Sequence, residues 1–174
     1  MKNSFVELQA RERVNALLDE NSGRELIDPF DQMIAPNLVA QGIVPESDDG
    51  IIVARGTINK QAVVVIATEG KFQGGGIGEV SGAKIIAALT HALEENQAGN
   101  ELIPILILDT GGVRLQEANY GLLSISEIGN LIVALKKYVP VIGVVPGRVG
   151  SFGGMSITSA LMSYLISTKK ARVA

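Results

Sequence analysis

Three clusters of glycine, each following an apolar run, are the residues of this sequence best suited to chemistry. They lie at 74–82, 111–112 and 147–154. Glycine permits a positive φ and lets a ligand come close to the backbone. Where such a turn opens a helix, its free N–H groups and the helix dipole favour a negative charge. The sequence therefore predicts a site for a phosphate or an oxyanion that is built from backbone amides.

The second cluster belongs to the most specific stretch of the chain, DTGGVRLQE at 109–117. On a helix surface, Arg114 and Glu117 would be a solvated pair worth about 0.3 kcal/mol. That interpretation does not explain two glycines between an acid and a base directly after a buried strand. We favour a turn in which Gly112 and its neighbours donate N–H groups, while Asp109, Arg114 and Glu117 brace it.

Two kinds of phosphate-binding site are alternatives to an oxyanion site. The segment GIGEVSG at 76–82 loosely matches a dinucleotide fingerprint, and Asp109 ends the next strand, where a ribose-binding acid would lie. The third glycine is displaced, however, and Glu79 would stand beside the pyrophosphate. No Gly-Lys-Ser or Gly-Lys-Thr occurs, which excludes a P-loop.

The sequence has few side chains that could catalyse hydrolysis or bind a metal. Val149 replaces the first glycine that a nucleophile elbow around Ser151 would need. His91 is the one histidine, and it falls inside a predicted helix. The absence of cysteine excludes a thiol nucleophile, disulfides and thiolate zinc sites, and a single histidine excludes multi-histidine metal sites. We therefore expect no metal.

The elements that position the glycine turns repeat the order strand, turn, helix. The predicted elements are strands at 51–58 and 62–68 joined by a turn at 59–60, a helix at 79–96, a strand at 105–108, a helix from within 117–126 to about 136–137, a strand at 139–145 and a helix at 155–166. This order indicates an α/β fold with a largely parallel sheet and right-handed crossovers. The three turns are then expected at one edge of the sheet, where such folds bind ligands.

The rest of the chain completes a single predicted domain of residues 1–174. A helix at 6–18, capped by Ser4, and an irregular connection at 28–49 precede the core at 50–174. The last residues, from Lys169, are typical of a strand that has no room to form.

Bulk composition narrows the partners. A net charge of −3 gives no reason to expect nucleic acid or an anionic membrane as partner. No signal peptide is visible, and the apolar runs at 103–108 and 139–145 are too short to span a bilayer, so a cytoplasmic location is expected. The hydrophobic fraction of 47 % indicates a partner-facing surface.

The three glycine-containing segments resemble motifs of a known family. The stretch 109–117 resembles the Asp-Ser-Gly-Gly-Ala-Arg-x-Gln-Glu signature of biotin-dependent carboxyltransferases and acyl-CoA decarboxylases. GGIGEVSGAK at 75–84 resembles their Gly-Gly-Met-Gly-x-x-x-Gly-x-Lys turn, and GRVGSFGGM at 147–155 resembles their later glycine turn. Further segments are similar to the beta subunits of biotin-independent malonate decarboxylases: FQGG at 72–75, VRLQEAN at 113–119 and DPFD at 28–31.

The resemblance runs from about Val6 to the C-terminus, with two departures. Thr110 and Val113 replace the commoner serine and alanine, which is compatible with the same turn. The lack of cysteine disfavours the beta subunit of bacterial acetyl-CoA carboxylase, which carries a four-cysteine zinc ribbon.

The resemblance implies a crotonase-like (ClpP/crotonase) fold, a ββα superhelix, truncated here at Ala174 because family members are longer. It implies decarboxylation of a malonyl thioester on an acyl-carrier protein, giving acetyl thioester and carbon dioxide through an enolate. The carrier's arm would be a phosphoribosyl-dephospho-CoA group; this chain would bind no cofactor of its own, and biotin would not be used. The implied partners are the gamma subunit, the acyl-carrier protein and possibly an acyl transferase subunit.

From this resemblance and the glycine pattern we expect two oxyanion turns, formed by Gly111, Gly112 and Val113 and by Gly153 and Gly154. The expected substrate-binding residues are Gln73, Gly75, Gly76, Gly78, Arg114 and Glu117. The proton donor to the enolate stays open between Glu117, Gln73, Tyr120 and a partner residue. Three other functions also stay open: a biotin-dependent carboxyltransferase subunit, a nucleotide-binding module and a non-catalytic scaffold half.

Overall fold

A computed structural model describes residues 4–174 and shows one six-stranded mixed sheet with helices on both faces. The strands, in spatial as well as sequence order, are β1 (Arg24–Leu26), β2 (Ile51–Ile58), β3 (Gln61–Thr68), β4 (Ile103–Ile107), β5 (Ile142–Val145) and β6 (Tyr164–Ser167). The helices are α1 (Ala10–Leu17), α2 (Pro36–Ala40), α3 (Glu79–Gln97), α4 (Asn119–Leu135) and α5 (Gly154–Leu161). The first three strands are antiparallel, and β3 to β6 are parallel, each joined to the next by one helix.

The apolar run of β3 is buried on both faces of the sheet. Val64 and Ile66 pack in a core with α3, α4 and α5, whereas Val63 and Val65 pack on the opposite face with α1. This period-two division explains why a central strand reads as continuous valine and isoleucine. The predicted hairpin at 51–68, with its turn at 59–60, is confirmed.

The first helix is shorter than the predicted 6–18. It begins at Ala10, with Gln9 as its N-cap and Glu12 accepting from the Gln9 amide, so Ser4 is not its cap. The guanidinium of Arg13 donates to the carbonyls of Phe5 and Val6, at 3.1 and 2.8 Å, and these bonds hold the preceding residues in a turn. The capping contact of Glu12 and the bonds from Arg13, rather than apolar periodicity, set this boundary.

The last helix also ends earlier than predicted. Residues 155–166 were expected to be helical, but α5 ends at Leu161 and residues 164–167 form β6. Extended backbone at Met162 stops the helix, and Ser163 then donates to the Val141 carbonyl and starts the parallel pairing with β5. The sequence-based prediction missed this edge strand because its three apolar residues, at 164–166, continue the apolar pattern of the helix without a break.

The sheet also begins before the predicted core at 50–174, because β1 pairs with β2. The connection 28–49 is irregular, as expected, apart from a 3-10 turn at Pro29–Asp31 and the short helix α2. The helix predicted to start within 117–126 begins at Asn119, and the strand predicted at 139–145 begins at Ile142.

Candidate active site

The three glycine turns meet at the carboxyl ends of β3, β4 and β5, as the sequence predicts. The Gly111 amide donates to the Gly74 carbonyl at 2.8 Å, which joins the second turn to the first. The second and third turns are joined by Thr110, whose amide donates to Gly150 and whose carbonyl accepts from Phe152, at 2.8 and 3.1 Å. Backbone hydrogen bonds therefore make the turns one unit.

Two glycines allow this close approach of backbones. At Gly75 a Cβ would overlap the Asp109 carbonyl oxygen. At Gly112 a Cβ would lie 2.8 Å from the Phe152 carbonyl oxygen, and its φ of +101° is unfavourable for any other residue. The absence of a side chain therefore allows the turn at 109–113 to contact the first turn at Gly75 and the third turn at Gly112.

Some backbone amides of the predicted oxyanion residues donate hydrogen bonds within the chain, and others have no acceptor there. Those of Gly111, Gly112 and Gly153 donate within the chain, to the Gly74 carbonyl, to the Thr110 hydroxyl at 3.0 Å and to the Ala174 carbonyl at 3.0 Å. Within residues 4–174, the amides of Val113 and Gly154 have no hydrogen-bond acceptor. Gly154 is the first residue of α5, where an unpartnered N–H is aided by the helix dipole.

Arg114 and Glu117 lie in a buried network that holds the second turn. Nη1 of Arg114 donates to both carboxylate oxygens of Asp49, at 2.8 and 3.0 Å, and to Glu117 Oε2 at 2.9 Å. All three side chains are at most 1 % exposed. Burial raises the pKa of the Asp49 carboxyl, and the charge of Arg114 opposes that rise. Their geometry is that of a brace.

The same network anchors α3. The amide of Ser81 in its first turn donates to Asp49 Oδ2 at 2.7 Å, and that of Glu79 donates to Glu117 Oε1 at 3.4 Å. Two carboxylates thus accept from the opening turn of this helix, where negative charge is favoured. At Gly78 a Cβ would overlap the Glu117 carboxylate, so this glycine makes room for the brace.

A second buried ion pair holds the third turn. Asp109 Oδ2 accepts from Arg13 Nη1 at 2.8 Å, and both side chains are 1 % exposed. Its other oxygen accepts from the amides of Val149 and Gly150, at 2.6 and 3.2 Å. Helix α1 is therefore tied through one carboxylate to the turns that follow both β4 and β5.

The other predicted substrate-binding residues divide by exposure. Gln73 is exposed at the surface of the first turn, whereas Gly75, Gly76 and Gly78 are buried beneath it. The side chain of Gln116 reaches that of Gln73 at 3.5 Å. Of the named proton-donor candidates, Gln73 and Tyr120 are exposed and Glu117 is 3 % exposed. A role in binding for these residues stays a prediction.

Sequence reasoning missed three residues that support the site: Arg13, Asp49 and Lys84. Lys84 is buried, and its Nζ donates to the carbonyls of Asp48 and Ile51, at 3.0 and 2.6 Å, which fixes the loop that carries Asp49. Burial lowers the pKa of this ammonium. Lys84 belongs to the segment GGIGEVSGAK at 75–84, so its place in that motif could have identified it. No local sequence pattern marks Arg13 or Asp49.

Across residues 4–174, no group of three or more histidine, cysteine, aspartate or glutamate side chains is placed to hold a metal ion. No helix in that part of the chain is long and apolar enough to cross a membrane.

Comparison with known proteins identifies the class. The family model described as "Carboxyl transferase domain" matches residues 5–173, and the chain therefore belongs to the carboxyl transferase domain family. Transcarboxylase 12S, a solved member of the carboxyltransferases, superposes with a TM-score of 0.85 at 28 % identity over 98 % of this chain and 31 % of that one. The crotonase-like fold predicted from the sequence is confirmed.

More similar proteins belong to malonate metabolism. A chain of a Pseudomonas malonate decarboxylase hetero-tetramer, solved in complex with malonate, is 55 % identical with a TM-score of 0.96, over 98 % of this chain and 62 % of that one. A chain of the Pseudomonas malonate decarboxylase MdcD–MdcE hetero-dimer is 49 % identical with a TM-score of 0.85, over 98 % and 66 %. A malonyl-S-ACP:biotin-protein carboxyltransferase of Malonomonas rubra is 38 % identical over 98 % of this chain and 57 % of that protein. The chain thus spans about three fifths of these relatives.

Proposed function

We propose that this chain is the beta subunit of a malonate decarboxylase, and that it stabilises the enolate formed when a malonyl thioester loses carbon dioxide. The observation that carries the proposal is the pair of unpartnered amides, of Val113 and Gly154, on two glycine turns in contact. The identity of 55 % to a chain of a malonate decarboxylase solved with malonate supports the choice of substrate.

The chemistry requires little of the side chains. When the carboxylate of a malonyl thioester stands perpendicular to the thioester carbonyl, loss of carbon dioxide sends its electron pair into an enolate. Two N–H groups aimed at that oxygen stabilise the charge as it develops, and one such donor is worth about 10²–10³ in kcat. The second turn is exposed at Gly111 and the third at Gly153, so an acyl group on a carrier arm has access to both turns.

The proposed carrier is an acyl-carrier protein whose phosphoribosyl-dephospho-CoA arm presents the malonyl group, with no biotin. The proposed partners are this carrier, the gamma subunit and an acyl transferase subunit. The apolar residues exposed on α4 and α5, among them Leu123 and Ile157, give a partner a surface to bind beside the glycine turns. Both similar Pseudomonas chains come from hetero-oligomers.

A second candidate function rests on the Malonomonas relative, whose name describes transfer from malonyl-S-ACP to a biotin protein. The same oxyanion turns would serve both reactions, because each passes through the enolate. Release of carbon dioxide that avidin does not inhibit favours decarboxylation, and label from the malonyl carboxylate recovered on a biotin protein favours transfer. The higher identity to the malonate decarboxylases makes the first our conclusion.

The direct test is Gly112→Ala in the assembled complex, assayed by release of carbon dioxide from malonyl-loaded carrier. A Cβ there would lie 2.8 Å from the Phe152 carbonyl oxygen and would displace the turn that carries the Val113 amide. We expect kcat to fall about 10²-fold or more, as for loss of an oxyanion donor. Gly154→Val, which would press against Ile125, should have a similar effect.

The matched control is Gly99→Ala. Gly99 has a comparable positive φ of +86°, but a Cβ there meets nothing within 4 Å, and the residue lies after α3, away from the turns. The same backbone strain is therefore introduced without disturbing the site. Full activity of Gly112→Ala with an intact circular dichroism spectrum would remove the oxyanion assignment.

A further inference from the structure

A cavity of about 630 Å³ lies between β1, β2 and α3, and the proposed decarboxylation does not use it. Leu26 and Ala62 provide apolar walls, and Arg24, Arg55 and His91 also line it. Its volume falls within the roughly 300–1,000 Å³ of small-molecule sites, and such sites combine apolar walls with a few convergent polar groups. The composition of this cavity fits that description.

The residues that line the cavity include two arginines and no carboxylate. Arg24 and Arg55 are directly opposite each other in the β1–β2 ladder, so their side chains share one face of the sheet. Like charges in directly opposed positions destabilise a sheet. Negative charge between the two guanidinium groups would offset this repulsion.

One carboxylate reaches these groups within the chain. Arg55 donates to Glu95 Oε2 at 3.1 Å and lies 3.2 Å from His91 Nε2. Within residues 4–174, Arg24 makes no side-chain hydrogen bond and no salt bridge, although its neighbour Glu25 pairs with Arg11. One guanidinium is therefore left to bind a ligand at the rim of the cavity.

We propose that this cavity binds a small amphiphilic anion. A carboxylate or phosphate head would be held by Arg24 and Arg55, because guanidinium groups bind both in a bidentate manner. An apolar body would lie against Leu26 and Ala62. Binding would offset the repulsion between the two opposed arginines.

The cavity is separate from the glycine turns. Arg55 pairs with Val64, four residues before Thr68, where β3 ends and the polypeptide turns toward the candidate active site. At about 3.3 Å per residue, this places the cavity roughly 13 Å back along the strand. The inference therefore does not depend on the proposed function.

The single histidine of the chain provides the readout. In the untagged full chain, the imidazole signals of His91 are followed by NMR during titration with hexyl phosphate, inorganic phosphate and hexanol. We expect saturable shifts with hexyl phosphate, weaker binding of inorganic phosphate and no response to hexanol. Equal affinity for the two phosphates would overturn the amphiphilic assignment, and no saturable shift at millimolar hexyl phosphate would overturn the site.

Arg24→Gln tests the head-group contact. Loss of one charge-assisted pair should weaken hexyl phosphate binding about tenfold. In phosphate-free buffer the variant should unfold at the same temperature as the wild type or a higher one, because the like-charge contact is gone. A given concentration of hexyl phosphate should raise that temperature less than in the wild type. Retained affinity in this variant would overturn the proposal.

Lys137→Gln is the matched control for total charge. Lys137 is exposed just beyond the end of α4, does not line the cavity and loses the same single charge. Its affinity for hexyl phosphate should equal that of the wild type. Equal weakening in Arg24→Gln and Lys137→Gln would show a non-specific charge effect and would overturn the site.

Discussion

The residues that hold the candidate site are ionic and buried, whereas those proposed to act in it are backbone amides. Arg114 joins Asp49 and Glu117, and Arg13 joins Asp109. Such pairs add little net stability over apolar packing, but breaking one leaves a buried charge alone. Their value here is positional, because each carboxylate also accepts a backbone amide from a helix start or a turn.

At the scale of single residues, we predict that Arg114→Met lowers the free energy of unfolding by about 3–5 kcal/mol. The change leaves the carboxylates of Asp49 and Glu117 buried side by side without a cation. Chemical denaturation at neutral pH measures the effect. A loss below about 1 kcal/mol would contradict the role of Arg114 as the brace of this turn.

Arg11→Met is the control, because it removes the same side chain from another ion-pair group. Arg11 pairs with Glu25 and Asp48, at 2.7 and 3.0 Å, but its side chain is 43 % exposed. Exposed pairs contribute about 0–1 kcal/mol. The two variants therefore separate burial of the pair from loss of an arginine.

At the scale of elements, the β2–β3 hairpin shows how a distant carboxylate fixes a turn. Asn59 and Lys60 both have a positive φ, which is unusual for residues other than glycine. Asp19 accepts from the amides of both residues at 2.9 Å and from the Thr57 hydroxyl at 2.6 Å. These bonds, led by that from Thr57, lower the pKa of Asp19 below its ordinary 3.8.

This lowered pKa predicts a pH dependence of stability. Because the folded-state pKa lies below the unfolded value, the contribution of Asp19 is present above pH 3.8 and is lost as the pH falls through the lowered pKa. We expect Asp19→Ala to be less stable than the wild type at pH 7, with a difference that shrinks under acid. Thermal unfolding across that range measures it.

Glu20→Ala serves as the neighbouring control. Glu20 is exposed, and its replacement by alanine removes the same charge as Asp19→Ala. Its difference from the wild type should stay small and nearly constant with pH. A difference for Asp19→Ala that grows toward low pH would contradict the assigned direction.

The sequence predicted the elements of this fold well where periodicity and glycine were informative. The β2–β3 hairpin, the helix at 79–96 and the meeting of the three glycine turns all appear in the structure. The start of α1 and the strand β6 were predicted wrongly, because the first depends on the bonds from Arg13 to Phe5 and Val6 and the second on pairing with β5. Apolar periodicity carries no signal for either.

The candidate site was predictable to the level of its turns but not of its atoms. Glycine spacing indicated where backbone amides would gather, yet which amides stay free depends on tertiary partners. Gly112 donates to Thr110 and Gly153 to Ala174, which leaves Val113 and Gly154. Asp49 was missed because it lies 65 residues from Arg114 in an irregular connection.

At the scale of the whole molecule, one face is unusually apolar for a surface. Five large side chains of α4 and α5 are at least half exposed: Tyr120, Leu122, Leu123, Val133 and Ile157. Leu122, Val133 and Ile157 line a groove of about 340 Å³ between the two helices, and Leu123 lies with Tyr120 in a second hollow at the start of α4. Helix α4 begins two residues after Glu117, so a partner on this face would lie next to the glycine turns.

We predict that Leu123→Glu weakens binding of the proposed gamma subunit at least about tenfold, because a charge would be buried in the apolar contact between the groove and the glycine turns. Leu123 is 67 % exposed in the chain alone, so the variant should fold normally. Val39→Glu is the matched control, since Val39 is 56 % exposed, lies on α2 and lines neither the groove nor the hollow that contains Leu123. Light scattering of the mixed subunits measures the complex. Wild-type affinity in Leu123→Glu, or an equal loss of affinity in Val39→Glu, would place the partner elsewhere. Loss of affinity in Leu123→Glu alone, with an unchanged circular dichroism spectrum, would place the partner beside the free amides of Val113 and Gly154.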